Sequence, residues 1–219
     1  MRTVAVIPAF NEGKCIAEVV KRSFKQVEHV IVVDDGSKDD TAHKAKSEGA
    51  EVISYLQNKG KAYALRKGFE QCRSYDCIVI LDGDLQHRPE EIPKLIGQIE
   101  RGSDLCVGSR ILSGAKGMPL PRRFSNWFAS KIISFLINQK ITDPQSGFRA
   151  LRRSKLDLLE LRAERYAIEH LMILEAADKG LRIDEVPISC RYSNEESDIK
   201  VIRDTLRVIY HILRFLVTK

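Results

Sequence analysis

Several things are scarce or missing in this chain. No stretch is apolar for long enough to cross a bilayer, which needs about 20 residues, so any membrane contact is expected at the surface. The five cysteines, Cys15, Cys72, Cys77, Cys106 and Cys190, are scattered, odd in number and include no Cys-X-X-Cys pair. That pattern fits reduced thiols in a cytosolic protein better than a disulfide framework. The N-terminus lacks the basic segment and apolar run of a signal peptide. Aromatic residues make up only 7% and no nucleic-acid-binding motif is present, so nucleic acid is the least expected partner. No Gly-X-Gly-X-X-Gly follows the first apolar run, which disfavours a dinucleotide site. There is no internal repeat, low-complexity tract or interdomain linker.

What is present suits one α/β domain with a sizeable core: 219 residues, 43% hydrophobic and 30% charged. The net charge of +6 points to an anionic partner, either phosphates or an acidic membrane surface.

The most informative stretch is Cys77 to Gln86, CIVILDGDLQ. Ile78 to Leu81 reads as a buried strand that runs into Asp82-Gly83-Asp84-Leu85-Gln86. In an extended chain alternate side chains share a side, so Asp82, Asp84 and Gln86 line up. Two carboxylates and an amide oxygen so close together call for a cation, and oxygen ligands suit Mg2+ or Mn2+. Gly83 lets a ligand approach the backbone. The sequence therefore predicts a metal site holding a diphosphate, with a plain acidic turn as the alternative.

Around this stretch the chain alternates strands and helices. Strands are predicted at Thr3–Ile7, Val30–Val33, Glu51–Leu56, Ile78–Leu81 and Asp104–Val107. Helices are predicted from about Lys14 to Lys25, from Asp39-Asp40-Thr41, from Lys61 to about Arg73, and over Pro89–Glu100. Such alternation gives right-handed crossovers and a mainly parallel sheet, with ligands bound beyond the carboxyl ends of the strands. The polar clusters after strands one, two, four and five all fall there. Glu12, Asp34 and Asp35 are placed to take hydrogen bonds from a base and a ribose, or else to cap turns. The second half predicts a helix over Arg122–Gln139, a turn at Asp143–Arg149 into a short strand, helices near Ser154–Leu161 and Ile168–Lys179, and a late strand over Ile183–Tyr192.

The C-terminal 22 residues, Asp198 to Lys219, carry five Lys/Arg and two Asp, a net of +3. At about 100° per residue, Ile202, Leu206, Ile209, Leu213 and Leu216 share one face. Residues 198–219 are expected to form a basic amphipathic helix, appended to a domain of residues 1–197. It would lie on an anionic membrane surface, or pack on its own sheet or a second subunit.

PAFNE after strand one, DDGSKDDT after strand two, DGDLQ after strand four, GSR after strand five and DPQSGFRAL together resemble the family 2 glycosyltransferases. Within that family the set is most similar to the dolichyl- or polyprenyl-phosphate mannose or glucose synthases. The resemblance implies a GT-A fold, a Rossmann-like sheet with helices on both faces, and inverting transfer of a hexose. The donor would be a nucleoside-diphosphate sugar such as GDP-mannose or a UDP-sugar, and the acceptor a polyprenyl phosphate. It implies that Pro8, Phe10, Glu12, Asp34, Asp35 and Lys61 surround the donor with Asp82 and Gly83. Asp84 and Gln86 would hold Mg2+ or Mn2+ beside Asp82. Arg110, Arg122, Arg123 and Ser125 would hold the acceptor phosphate, and Arg191 the donor diphosphate. Asp198 stands where the resemblance calls for lysine, and Lys200 is the nearby cation. Asp143 is the expected base if the acceptor is instead a hydroxyl on a soluble sugar. A non-catalytic membrane-docking relative is the other alternative. The expected location is the cytoplasmic face of a membrane.

Overall fold

The computed structural model describes residues 1–161 and 168–192. Seven strands form one sheet: β1 (Thr3–Ala9), β2 (His29–Asp34), β3 (Glu51–Ser54), β4 (Cys77–Ile80), β5 (Leu105–Ser109), β6 (Arg149–Arg152) and β7 (Ile183–Pro187). Their order is β3-β2-β1-β4-β6-β5-β7. All pair in parallel except β6, which runs antiparallel between β4 and β5. Ile80 of β4 and Val107 of β5 both sit opposite Arg149, the first residue of β6. The turn before β6 is thereby delivered to the carboxyl ends of β4 and β5.

The helices are α1 (Ile16–Ser23), α2 (Thr41–Ser47), α3 (Lys61–Glu70), α4 (Ile92–Glu100), α5 (Leu120–Leu136), α6 (Arg153–Leu156) and α7 (Ile168–Asp178). Successive strand residues point to opposite faces. Val4 and Val6 therefore pack into the core under α3 and α7, while Ala5 and Ile7 pack into the core under α1, α2 and α4. Both faces are covered, which explains the uninterrupted apolar runs of β1, β2 and β4.

Some boundaries differ from those predicted. The third strand stops at Ser54 rather than Leu56, whose side chain is fully exposed. The late strand stops at Pro187 rather than Tyr192, because its partner β5 ends at Ser109, whose carbonyl takes the Ile188 N–H at 3.1 Å; further on, Cys190 forms a single bridge to His87. The helix near Ser154–Leu161 is one turn, α6. The Glu175 carboxylate captures the Glu160 and Leu161 N–H groups, at 2.6 and 3.1 Å, and draws that segment off the helical path. The proposed C-terminal helix, the boundary at residue 197 and Lys200 lie outside the described residues.

Candidate active site

The loops after β1, β2, β4 and β5 meet above the sheet edge, joined by the turn before β6. Asp82 follows β4 and faces Lys61, the first residue of α3, with Nζ 2.5 Å from Oδ1. Lys61 also lies 2.8 Å from Glu169 Oε1 at the start of α7. Burial alone would raise the Asp82 pKa, but the charge and hydrogen bond of Lys61, with His87 and Arg110, together hold that carboxyl below its ordinary value. One buried ammonium thus serves two carboxylates.

Asp84 has no such cation among the described residues. Burial, followed by the charge of Asp82, pushes it up to about 6. Its Oδ1 accepts the Gln86 N–H at 2.9 Å, a local bond that fixes the turn in which Leu85 adopts a left-handed conformation (φ 59°). The expected extended run does not form: β4 ends at Ile80, and Asp82, Asp84 and Gln86 sit on the turn that follows it. Among the described residues, no three His, Cys, Asp or Glu side chains cluster as a complete metal centre. A hard divalent ion needs no such cluster where substrate phosphates supply the remaining oxygens. The charge left on Asp84 is the feature that fits one.

Approach to this cluster is tight. A Cβ on Gly147 would stand 2.6 Å from Asp82 Oδ2 and 2.8 Å from Lys61 Nζ, so the turn before β6 packs its backbone against the ion pair. Arg149 anchors that turn from below. Its guanidinium is buried and donates to the carbonyls of Ser146, Pro144 and Glu169, at 2.9, 2.8 and 2.5 Å. Burial lowers its pKa to about 10.

The remaining predicted residues divide in two. Asp34 Oδ1 accepts the Ser37 N–H at 3.1 Å, and Asp35 takes the Lys59 and Gly60 N–H groups at 2.7 and 2.8 Å. Both carboxylates therefore shape loops, and Asp35 sets the entry to α3 that aims Lys61. Glu12 leans over Gly83, while Pro8 is buried within β1 and Phe10 is exposed at its end. Arg122 Nη1 donates to Gln86 Oε1 at 3.3 Å, and its guanidinium lies 5.6 Å from the Tyr192 ring centre. Arg191 is exposed and reaches the same residue through its backbone, N–H to Gln86 O at 2.9 Å. Ser125 is buried and accepts from Gln145 Nε2 at 3.0 Å, and Arg123 is exposed on α5.

Arg110 and Asp143, expected at the acceptor phosphate and as a base, are engaged with each other. Arg110 Nε and Nη2 donate to the two oxygens of Asp143, at 2.7 and 2.8 Å, and the Arg110 backbone N–H adds a third bond at 2.9 Å. Asp143 has no exposed surface. Its oxygens already carry three donors, which leaves little capacity to receive a substrate proton.

Four participants went unread in the sequence. Glu169 and Gly147 act through partners distant in the chain, and Arg149 joins its own turn to Glu169; Gly147 and Arg149 stood inside a recognised motif without a task. His87 follows Gln86 directly. Its ring is buried 5.3 Å from Phe148, burial pushes its pKa down to about 4, and its Nδ1 has no hydrogen bond among the described residues.

The model of glycosyl transferase family 2 matches residues 4–159. The chain belongs to glycosyl transferase family 2. Among family relatives, it is 35% identical to the UDP-N-acetylglucosamine–dolichyl-phosphate N-acetylglucosaminyltransferase of Methanococcus voltae, over 86% of this chain and 85% of that protein. It is 33% identical to the dolichol-phosphate mannosyltransferase of Pyrococcus furiosus, over 98% of this chain and 64% of that protein. The crystal structure of Mycobacterium tuberculosis glucosyl-3-phosphoglycerate synthase with Mn2+, uridine diphosphate and phosphoglyceric acid superposes with a TM-score of 0.80 at 26% identity. It covers 97% of this chain and 78% of that one. The family 2 chain is accordingly a glycosyltransferase of GT-A type.

Proposed function

We propose that this family 2 enzyme transfers a hexose, with inversion, from a nucleoside-diphosphate sugar to a polyprenyl phosphate at the cytoplasmic face of a membrane. The observation that carries the reading is Asp84, a carboxylate raised to about 6 beside an Asp82 already satisfied by Lys61. Such a site gains most from a cation bridged to a diphosphate. Asp84, Asp82 and Gln86 would hold Mg2+ or Mn2+. Bound there, the ion supplies Lewis-acid stabilisation of the departing diphosphate.

The residues of the chain do the rest. Lys61 keeps Asp82 ionised, and Gly147 lets the turn before β6 pack directly against the pair. A phosphate oxygen of the acceptor forms the new bond to the anomeric carbon. The bond from that carbon to the diphosphate breaks, and its electron pair leaves with the nucleoside diphosphate. A phosphate monoester has a second pKa of about 6, so it is mostly ionised at neutral pH and needs no base. The engagement of Asp143 by Arg110 agrees with that. Arg122, beside Gln86, would supply a cation for the acceptor phosphate.

The structural likeness to a synthase holding phosphoglyceric acid favours a second reading, a soluble phosphorylated acceptor. A transfer assay with labelled GDP-mannose, UDP-glucose and UDP-N-acetylglucosamine, each with Mn2+, separates the two. Product on a short polyprenyl phosphate supports the proposal. Product on phosphoglycerate alone replaces the acceptor, and no product with any pair overturns both.

A further inference from the structure

In an open α/β sheet the ligand lies beyond the carboxyl ends of the parallel strands, and the opposite edge usually holds none. In this chain a cavity of about 370 Å³ opens at that opposite edge. It lies between the loop from α3 to β4 and the junction of β6 with α6, and Arg73, Tyr75, Asp76, Arg152, Arg153 and Ser154 line it. Cys77, the first residue of β4, pairs with Arg152, the last of β6. Ile80 and Arg149 pair at the other ends of the same two strands, where the chain turns to Asp82 and Asp84. The cavity is therefore separate from the reaction crevice, and sugar transfer asks for no cations there.

Three arginines and two aspartates line the cavity. Both aspartates are engaged: Asp76 Oδ2 accepts the Arg2 N–H at 2.7 Å, and Asp157 Oδ2 pairs with Arg153 Nη1 at 2.9 Å. Arg152 Nη2 donates to the carbonyls of Ile99 and Ser103, at 2.6 and 3.2 Å. Arg73 differs. It is exposed and makes no hydrogen bond or ion pair among the described residues. Arg153 Nε is buried and also has no hydrogen bond among the described residues. A buried donor left unpaired is unfavourable, and an acceptor entering the cavity would relieve it. Arg2 adds a further guanidinium at the rim, 5.1 Å from the centre of the Tyr75 ring. The walls are held by backbone bonds: the Asp76 N–H donates to the Arg2 carbonyl and the Arg153 N–H to the Asp76 carbonyl, both at 2.8 Å. The arginines thus project from a frame that is in place before any ligand arrives, which lowers the cost of binding.

We propose that this cavity is a second anion site, which takes a phosphate or diphosphate group between Arg73 and Arg153, with the Ser154 hydroxyl as a further donor. Phosphate fits better than a single carboxylate. It brings close to two charges and three acceptor oxygens at neutral pH, and the planar arginine fork matches those oxygens. The volume admits a diphosphate or a small phosphate ester. The site needs no divalent cation, because arginine supplies the charge. It does not depend on which acceptor the reaction crevice uses, so either assignment can fail alone.

The full-length protein, stripped of divalent cations by chelator, is titrated with pyrophosphate, inorganic phosphate and glycerol 3-phosphate, against sodium chloride at equal ionic strength. Calorimetric titration and a thermal melt are the readouts. The expected result is one saturable site per chain and a raised melting temperature with at least one of the three, and neither with chloride. The tightest of the three distinguishes a free anion from a phosphate ester. Arg73→Gln should weaken binding by about tenfold or more, the loss of one charge-assisted contact. Arg73→Lys keeps the charge but not the fork and should fall between that variant and the parent. Arg73 is exposed, so both variants should melt with the parent when no anion is present. Arg122→Gln, in the reaction crevice, should bind as the parent does. No saturable binding, or equal affinity in Arg73→Gln, would overturn the proposal. So would loss of binding in Arg122→Gln, which would put the anion in the crevice instead.

Discussion

Arg110 and Asp143 close on each other as a two-pronged fork, through Nε at 2.7 Å and Nη2 at 2.8 Å, with neither side chain open to solvent. The pair ties the end of β5 to the turn that leads into β6. A buried ion pair is costly to form but costlier to break, because the survivor is left charged and unpaired. Asp143→Asn should therefore destabilise the protein by about 3–5 kcal/mol. Urea denaturation of the variant and the parent measures this. A catalytic base without structural duty would give the opposite pattern, unchanged stability with lost turnover.

The pair also shows what could be read from the chain and what could not. Strand and helix alternation, the parallel sheet and the polar strand ends were legible because apolar runs and their punctuation are local signals. Asp82, Asp84 and Gln86 were legible as a local cluster, but the chain does not run on as a strand there: β4 ends at Ile80 and Leu85 turns it left-handed (φ 59°). The partner of Arg110 lies 33 residues away, and Glu169 lies 108 residues from Lys61. No periodicity encodes such a pairing. The short strand after the Asp143–Arg149 turn was legible, but its antiparallel direction was hidden, because a strand such as Arg149–Arg152 reads the same either way. The outward apolar face of α5 was visible as composition, but only packing showed which side of the helix is covered.

Gly147 is where chain tracing and chemistry constrain each other. Gly147→Ala places a methyl within 2.6 Å of Asp82 Oδ2 and 2.8 Å of Lys61 Nζ, so the ion pair or the turn must move. Displacement of the donor site by even about 1 Å can cost on the order of 10²-fold. The expected outcome is a fall of that order in kcat/KM with a melting temperature within a few degrees of the parent. Steady-state kinetics and a thermal melt on the same preparation decide it; unaltered kcat/KM would mean that the close approach is not used.

His87 should shape acid sensitivity. Its folded pKa, about 4, lies below the value of about 6.5 in an unfolded chain. The unfolded chain therefore takes up the proton first. The stability from keeping this ring neutral is complete above about pH 6.5 and is lost as pH falls toward 4, up to about 3 kcal/mol in all. His87→Phe keeps an aromatic ring beside Phe148 and removes the titration. Stability measured from pH 7 to pH 4 should fall less steeply in the variant than in the parent. Coincident slopes would show that the ring ionises freely in the fold.

Asp84 works with the opposite sign and links stability to ligand. Its folded pKa of about 6 lies above the unfolded value of about 3.9. Between those values the folded protein keeps a proton that the unfolded chain has released. The protonated form's contribution is present below about pH 4 and lost as pH rises through 6, which leaves the cation-free protein strained at neutral pH. Asp84→Asn removes that strain. Without cation at pH 7 the variant should be more stable than the parent by on the order of 1–2 kcal/mol, allowing for solvent screening at a partly exposed site. At pH 4 the two should converge. Mn2+ with a nucleoside-diphosphate sugar should then reverse the order: a ligand that binds only the folded state raises the parent's melting temperature, while the variant gains nothing and has lost transfer activity. Thermal melts at both pH values, with and without Mn2+ and donor, contain the whole test. A variant less stable than the parent in the absence of cation, or one still stabilised by Mn2+ and donor, would show that Asp84 is a turn former and not the residue that holds the charge.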